Sequence, residues 1–373
     1  MRIPVANIPN LTPLRGIAAL LVIIFHFEDV INARFINENY TMIIRKSYLM
    51  VDLFFVMSGF IMLHVYGESF SKTVRWDDFR KFLKARFARL YPLHFFTLLL
   101  FVILFYISGR PESDFENPLA IVTNLLLIHS FGIHSLFNWN VPSWSISAEW
   151  WSYMLFPVLA LLLSKNKKIA IPFLLVLATV IYIGILYYLP RVNFFNPKTP
   201  APHNLDVTYD YGFLRGFAGF MMGMVTYTVY QQKALYIFFG KNIMGFFGVG
   251  LALFTLHIGI NDALYIPVFM LLVLTVAANE GFIYKICQLK PLQYIGDISY
   301  SIYLMHLIIL FMTIEPLLGN MGYTNRLFGE NVLPFWTGLG VCSLFITEVI
   351  VISSLTYYGI EKPCRKWINK KFA

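Results

Sequence analysis

"TPLRGIAALLVIIFHF", residues 12–27, is an apolar run that keeps an arginine near its start, Arg15, and a histidine near its end, His26. Extended by a few residues it reaches the roughly 20 predominantly apolar residues of a membrane-spanning helix. An ionisable group facing lipid is costly, so both side chains are expected to face the interior of a helix bundle or a water-filled cavity. They stand eleven positions apart, which at 100° per residue is about 20° from three whole turns, with a rise of roughly 16 Å. They therefore share one helix face. Taken singly, Arg15 could snorkel to headgroups and His26 could make a structural hydrogen bond; their common face points to one continuous cavity.

The rest of the chain has the same character. Of 373 residues, 58% are hydrophobic and only 13% charged, against about 25% charged in a soluble domain. This is the composition of an integral membrane protein, read as one domain over 1–373. The first ten residues hold only Arg2 as a basic group, and no small-residue cleavage pattern follows the first apolar run, which is therefore expected to be a retained span. Cys287, Cys342 and Cys364 are scattered without metal-ligand spacing, so neither a metal site nor a disulfide framework is expected. The net charge of +9 sits in short loops between apolar runs, where topology explains it without nucleic acid.

Ten spans of about twenty residues fit near 12–31, 48–66, 90–108, 145–164, 169–189, 212–231, 243–260, 262–279, 295–314 and 334–357. The expected fold is all-α, a polytopic membrane helix bundle of about ten transmembrane helices. The gaps on one side are strongly basic (Lys72 to Arg89, Lys165 to Lys168, and the tail from Lys362 to Lys371), while opposite gaps are mixed, as in Glu112, Asp114 and Glu116 against Arg110. By the positive-inside rule both termini are expected in the cytoplasm; the expected location is the cell (inner) membrane. "LAIVTNLLLIHSFGI", 119–133, is short and carries His129; it reads as a re-entrant or interfacial segment, tolerable at membrane depth only when covered by protein. Gly212, Gly216, Gly219 and Gly223 form small-xxx-small pairs that let backbones approach.

Several polar residues stand inside these spans. Arg86 and Arg89, one turn apart before Pro92, can clamp phosphate through bidentate forks, although positive-inside arginines also bind lipid phosphate. In "PSWSISAEWW", 142–151, Glu149 follows Ser145 by four and shares its face; a carboxylate among tryptophans at that depth is expensive unless paired. Ser299, Tyr303 and His306 form a polar stripe that is either a cavity wall or an interhelical hydrogen-bond seam. Asp52 raises the same question in the second span, and Asp29 is placed to hold the ring of His26. The other histidines show no partner in sequence, and there is no P-loop, dinucleotide fingerprint, HExxH or GxSxG.

Six blocks in order, "LRGIAALLVIIFH", "DLFFVMSGF", Arg86-x-x-Arg89-x-x-Pro92, "WSISAEWW", "SYSIYLMH" and "IEKPCRKW", from residue 11 to 367, together closely resemble the membrane-bound acyltransferase-3 family. The resemblance implies transfer of an acyl group, usually acetyl from cytoplasmic acetyl-CoA, to a hydroxyl of a cell-surface glycan such as lipopolysaccharide O-antigen or exopolysaccharide. It implies that His26 is the catalytic histidine with Arg15 its companion, that Arg86 and Arg89 are the cytoplasmic arginine pair, and that Glu149 is the acidic residue of the Ser-x-x-x-Glu motif. The form expected is the one without an appended soluble hydrolase-like domain. Trp150, where many relatives have an acidic or polar residue, is a departure.

Acyl transfer to an alcohol needs a base, a held donor and charge stabilisation at the carbonyl oxygen. Arg86 and Arg89 are expected to hold the acyl-CoA phosphates, the pantetheine arm to run past Arg15, and the thioester to end at His26 as base or acyl carrier. Asp52, Ser145, Tyr303 and His306 are expected substrate contacts, with the glycan or glycolipid acceptor entering near Glu149 and membrane lipids around the bundle. The alternative is a proton-coupled transporter or lipid-linked glycan flippase using Arg15, His26 and Glu149 as a relay.

Overall fold

The computed structural model describes residues 8–30, 35–36, 38–108, 118–134, 139–191, 203–321 and 333–371. Arg2, the gap with Arg110, Glu112, Asp114 and Glu116, and residue 31 of the first expected span lie outside them. Among the described residues every regular element is helical, as expected where lipid offers no partner for backbone N–H and C=O groups.

Helices occupy all ten expected spans: α1 (Leu11–Val30), α2 (Met50–Tyr66), α3 (Trp76–Ser108), α4 (Trp144–Lys165), α5 (Lys167–Tyr187), α6 (Gly212–Tyr230), α7 (Asn242–Ile258), α8 (Tyr265–Ala278), α9 (Ser299–Ile309) and α10 (Phe335–Thr356). Seven segments are long and apolar enough to cross a membrane on those grounds alone, and an eighth is reached if α7 is joined to Lys233–Phe239 across a 69° bend. Of the other two, α6 is diluted by Arg215 and its glycines, and α8 with its leading turn is a shorter apolar helix, Asp262–Ala278. The 119–133 stretch forms only the short helix Pro118–Leu125 followed by turns, too short to cross at 1.5 Å per residue.

One boundary differs in a way that matters. The third span was expected from 90, but α3 begins at Trp76 and runs for 33 residues through Pro92. The basic stretch before Pro92 is rich in helix-forming Lys, Arg and Leu, so the helix continues outward from the apolar segment. Arg86 and Arg89 are thereby mid-helix residues facing the bundle.

α6 is the central post, buried along nearly all of its length and packed on α2, α4 and α5. Its glycines explain how. A Cβ on Gly223 would stand 1.9 Å from the carbonyl oxygen of Val56, and one on Gly59 would stand 1.9 Å from that of Phe220. The α2 and α6 backbones touch there, which only residues without a side chain permit.

Two hydrophobic cores form around this post. The larger unites α2 with α4 through α8, and the smaller unites α9 and α10. α1 contributes to both, with Leu11, Ala18 and Val22 in the first and Ala19, Ile23 and Phe27 in the second; α9 divides likewise, with Tyr300, Tyr303 and Leu304 in the first and Ile302 and Met305 in the second. α1 and α9 are therefore the seam. Two π-turns interrupt this half: Leu310–Ile314 extends α9, and Tyr357–Glu361 joins α10 to a terminal helix Lys362–Lys371 that packs on α3.

Candidate active site

A cavity of about 150 Å³ opens in the seam. Its wall brings together Arg15 from α1, Arg86 and Arg89 from α3, Ser145 and Glu149 from α4, and Tyr303 from α9. These six were singled out in the sequence from four distant segments.

The three arginines are held differently. Arg86 donates through Nη2 to the Tyr66 hydroxyl at 2.9 Å. Its guanidinium lies 5.1 Å over the Tyr66 ring and 5.9 Å over that of Tyr153, at cation–π range. Arg89 is ion-paired with Glu361 and lies 5.3 Å over the ring of Tyr300. Glu361 is 1% exposed, and its second oxygen accepts from Ser301 Oγ at 2.9 Å. It closes the π-turn Tyr357–Glu361, a distortion that re-aims a side chain and is frequent at functional sites. Arg15 makes no hydrogen bond or ion pair among the described residues, and its Nε is buried without a partner.

Glu149 accepts from Ser58 Oγ at 2.7 Å and from the Tyr153 hydroxyl. Among the residues lining the cavity three guanidiniums meet one carboxylate, Glu149, while Glu361 sits behind Arg89 and the exposed Asp297 acts on Arg15 from outside the wall. The wall itself is therefore predominantly cationic, an environment that favours an anionic guest. Ser145 donates to the Tyr303 hydroxyl at 2.8 Å, which donates to the carbonyl of Pro142 at 3.0 Å.

His26 and His306 do not line this cavity. His306 sits one residue beyond it, its ring 6.0 Å from that of Tyr303, and His26 lies against His306 at 4.8 Å between ring centroids. On the other side, His26 adjoins Phe25 at 5.1 Å, and Phe25 lines a second cavity of about 390 Å³ with Asp29, Tyr48, Asn204 and Asp206. The histidine pair stands in the partition between a cavity at the Arg15 end of α1 and another at the Asp29 end. Asp29 does not hold the His26 ring by its Nδ1, which instead donates to the Val22 carbonyl at 2.9 Å.

Asp52 is not brought to the site. It is fully buried against Arg215, receiving Nε at 3.1 Å and Nη2 at 2.6 Å. Arg215 is not among the residues singled out above, where its helix is read for glycines alone; a lone cation inside an apolar helix is the available signal. Tyr153, four residues after Glu149, was likewise readable from helical spacing, whereas the pairing of Glu361 with Arg89 had none. Three of the remaining histidines also have hydrogen-bond partners that sequence does not show: His129 Nε2 lies 3.0 Å from Ser143 Oγ, His134 Nε2 2.6 Å from Thr123 Oγ1, and His94 Nε2 3.0 Å from the Asn124 carbonyl.

Residues 8–353 match the model of the family described as an acyltransferase domain, and the chain belongs to this family, acyltransferase-3. It is 34% identical over 151 residues to Protein 2 in the picA locus of Rhizobium radiobacter, covering 36% of this chain and 73% of that protein. It is 29% identical to the acyltransferase MdmB of Streptomyces mycarofaciens, over 41% of this chain and 39% of MdmB. Against the O-acetyltransferase OatA of Staphylococcus aureus it is 24% identical over 98% of its own length, which spans 58% of OatA. No solved structure matches. The apolar helices and the family together make this a multi-pass membrane protein.

Proposed function

We propose that this protein is a membrane-bound O-acyltransferase that takes acetyl from cytoplasmic acetyl-CoA and places it on a hydroxyl of a cell-surface glycan, such as lipopolysaccharide O-antigen or exopolysaccharide. The observation that carries this reading is the cluster of three guanidiniums lining the seam cavity, which Tyr303 and His306 connect to His26. Among the described residues Arg15 and Arg86 are ion-paired with no carboxylate, and they are the cations for the donor's phosphates; Arg89 is engaged by Glu361 and orients the wall. The three-turn rise from Arg15 to His26, roughly 16 Å, is filled by the pantetheine arm, and the thioester ends at the histidine pair. The acceptor comes from the opposite face, through the cavity lined by Asp29, Tyr48 and Asn204, whose carboxylate, phenol and amide suit hydroxyl-rich molecules. Glu149, Ser58 and Tyr153 lie on the donor side and hold the wall of the seam cavity along the donor's path. The basic end of the bundle is cytoplasmic in this arrangement, with the protein in the inner membrane.

The test is transfer of label from radioactive acetyl-CoA to membrane glycan in cells making wild-type protein or His26→Ala. Labelled glycan with wild type alone supports the proposal. Solute movement dependent on the protein but without acetyl-CoA consumption would favour the transporter reading instead.

A further inference from the structure

His306 lies against His26 and is 0% exposed. Its Nδ1 is 2.6 Å from the carbonyl oxygen of Tyr303, just as that of His26 is 2.9 Å from the carbonyl of Val22. A carbonyl oxygen only accepts, so each neutral ring carries its proton on Nδ1 and keeps a lone pair on Nε2. Among the described residues nothing donates to Nε2 of His306. A buried acceptor left unmet is costly, and an apolar side chain in the same place would carry no such cost.

We propose that His306 is a second catalytic base: His26 Nε2 receives the acyl group, and His306 Nε2 takes the proton of the acceptor hydroxyl. This rests on the acyl-CoA reading above. The chemistry asks for two bases, because an acylated His26 has spent its lone pair and cannot deprotonate the incoming alcohol. In the first step the Nε2–acyl bond forms as the carbon–sulfur bond breaks, and coenzyme A leaves as a thiolate. In the second, the alcohol oxygen bonds the acyl carbon while its proton passes to His306 Nε2. The His26–acyl bond breaks, its electron pair returning to Nε2. His306 then gives the proton to the thiolate, so the products are ester and free thiol and both rings are neutral again. The Tyr303 carbonyl fixes the tautomer that this requires.

The experiment uses the full-length purified protein, radiolabelled acetyl-CoA, and two acceptors of known chemistry. Water needs a base, whereas hydroxylamine attacks an acyl-imidazole without one. The variant is His306→Asn, which keeps a donor for the Tyr303 carbonyl, with His306→Ala beside it and stabilisation by acetyl-CoA as the sign of a folded donor site. The expected result is label retained on the protein, discharge to water slowed about 100-fold or more, and discharge to hydroxylamine at the wild-type rate. Discharge to water at the wild-type rate overturns the proposal. So does failure of a variant that acetyl-CoA still stabilises to take up label, which would put His306 in the first step. Wild-type turnover without labelled enzyme overturns the carrier while leaving the acyltransferase reading intact. A wild-type protein neither stabilised nor labelled by acetyl-CoA removes that reading and this one together.

Discussion

At the scale of single residues, the ionisable groups of this bundle divide into those that are fully paired and those that are not. Asp52 and Arg215 satisfy each other in the dry interior. Removing one partner strands a buried charge, which typically costs about 3–5 kcal/mol. Arg215→Leu is therefore expected to lower the unfolding free energy in detergent by about that much, and Asp52→Leu/Arg215→Leu by clearly less; a double variant as unstable as the single would show that the pair is not what Arg215 serves. Arg15 Nε and the Nε2 of His306 are the opposite kind, buried polar atoms without a hydrogen-bond partner among the described residues. The sequence made Arg15, Arg86, Glu149 and Tyr303 visible because each is a polar residue in an apolar run. It hid which of them are already neutralised. Arg89 looked equivalent to Arg86 until Glu361, 272 positions away, was seen to hold it, and no local pattern reports a contact of that separation.

At the scale of elements, hydropathy located every long helix but not their breaks. A π-turn arises when one residue too many is accommodated in the helix, and nothing in "YYGIE" announces it, yet it is this turn that delivers Glu361 to the seam. The early start of α3 was hidden for a related reason: charged residues lower hydropathy without lowering helix propensity. Glycine spacing, in contrast, was a faithful signal. Gly223→Ala places a methyl against the Val56 carbonyl, so α2 and α6 must separate, and a loss of stability of at least about 1–3 kcal/mol is expected, the usual range for overpacking. Gly250 in α7 has open space where its Cβ would be, and Gly250→Ala should be neutral or slightly stabilising. Equal thermal shifts for the two variants would contradict the close contact.

At the scale of the whole molecule, α1 and α9 lie between two cores, with a cationic cavity on one side of the histidine pair and a larger polar cavity on the other. That arrangement separates a donor from an acceptor across a membrane only if the basic end is cytoplasmic. In a Cys364→Ser background, a membrane-impermeant maleimide applied to intact cells should label His203→Cys and leave Thr73→Cys unlabelled until the cells are opened. The reverse pattern would invert the bundle and with it the roles of the cavities. The most direct test of the central claim, that the seam cavity holds an acyl-CoA beside His26, is the thermal stability of the purified protein with and without acetyl-CoA. At a hundredfold excess over its dissociation constant the donor should stabilise by about 2.7 kcal/mol. Wild type and His26→Ala should both show this shift, and Arg15→Ala/Arg86→Ala should not. A shift of equal size in the arginine variant, or none in wild type at saturating donor, would contradict the placement of the donor in this cavity.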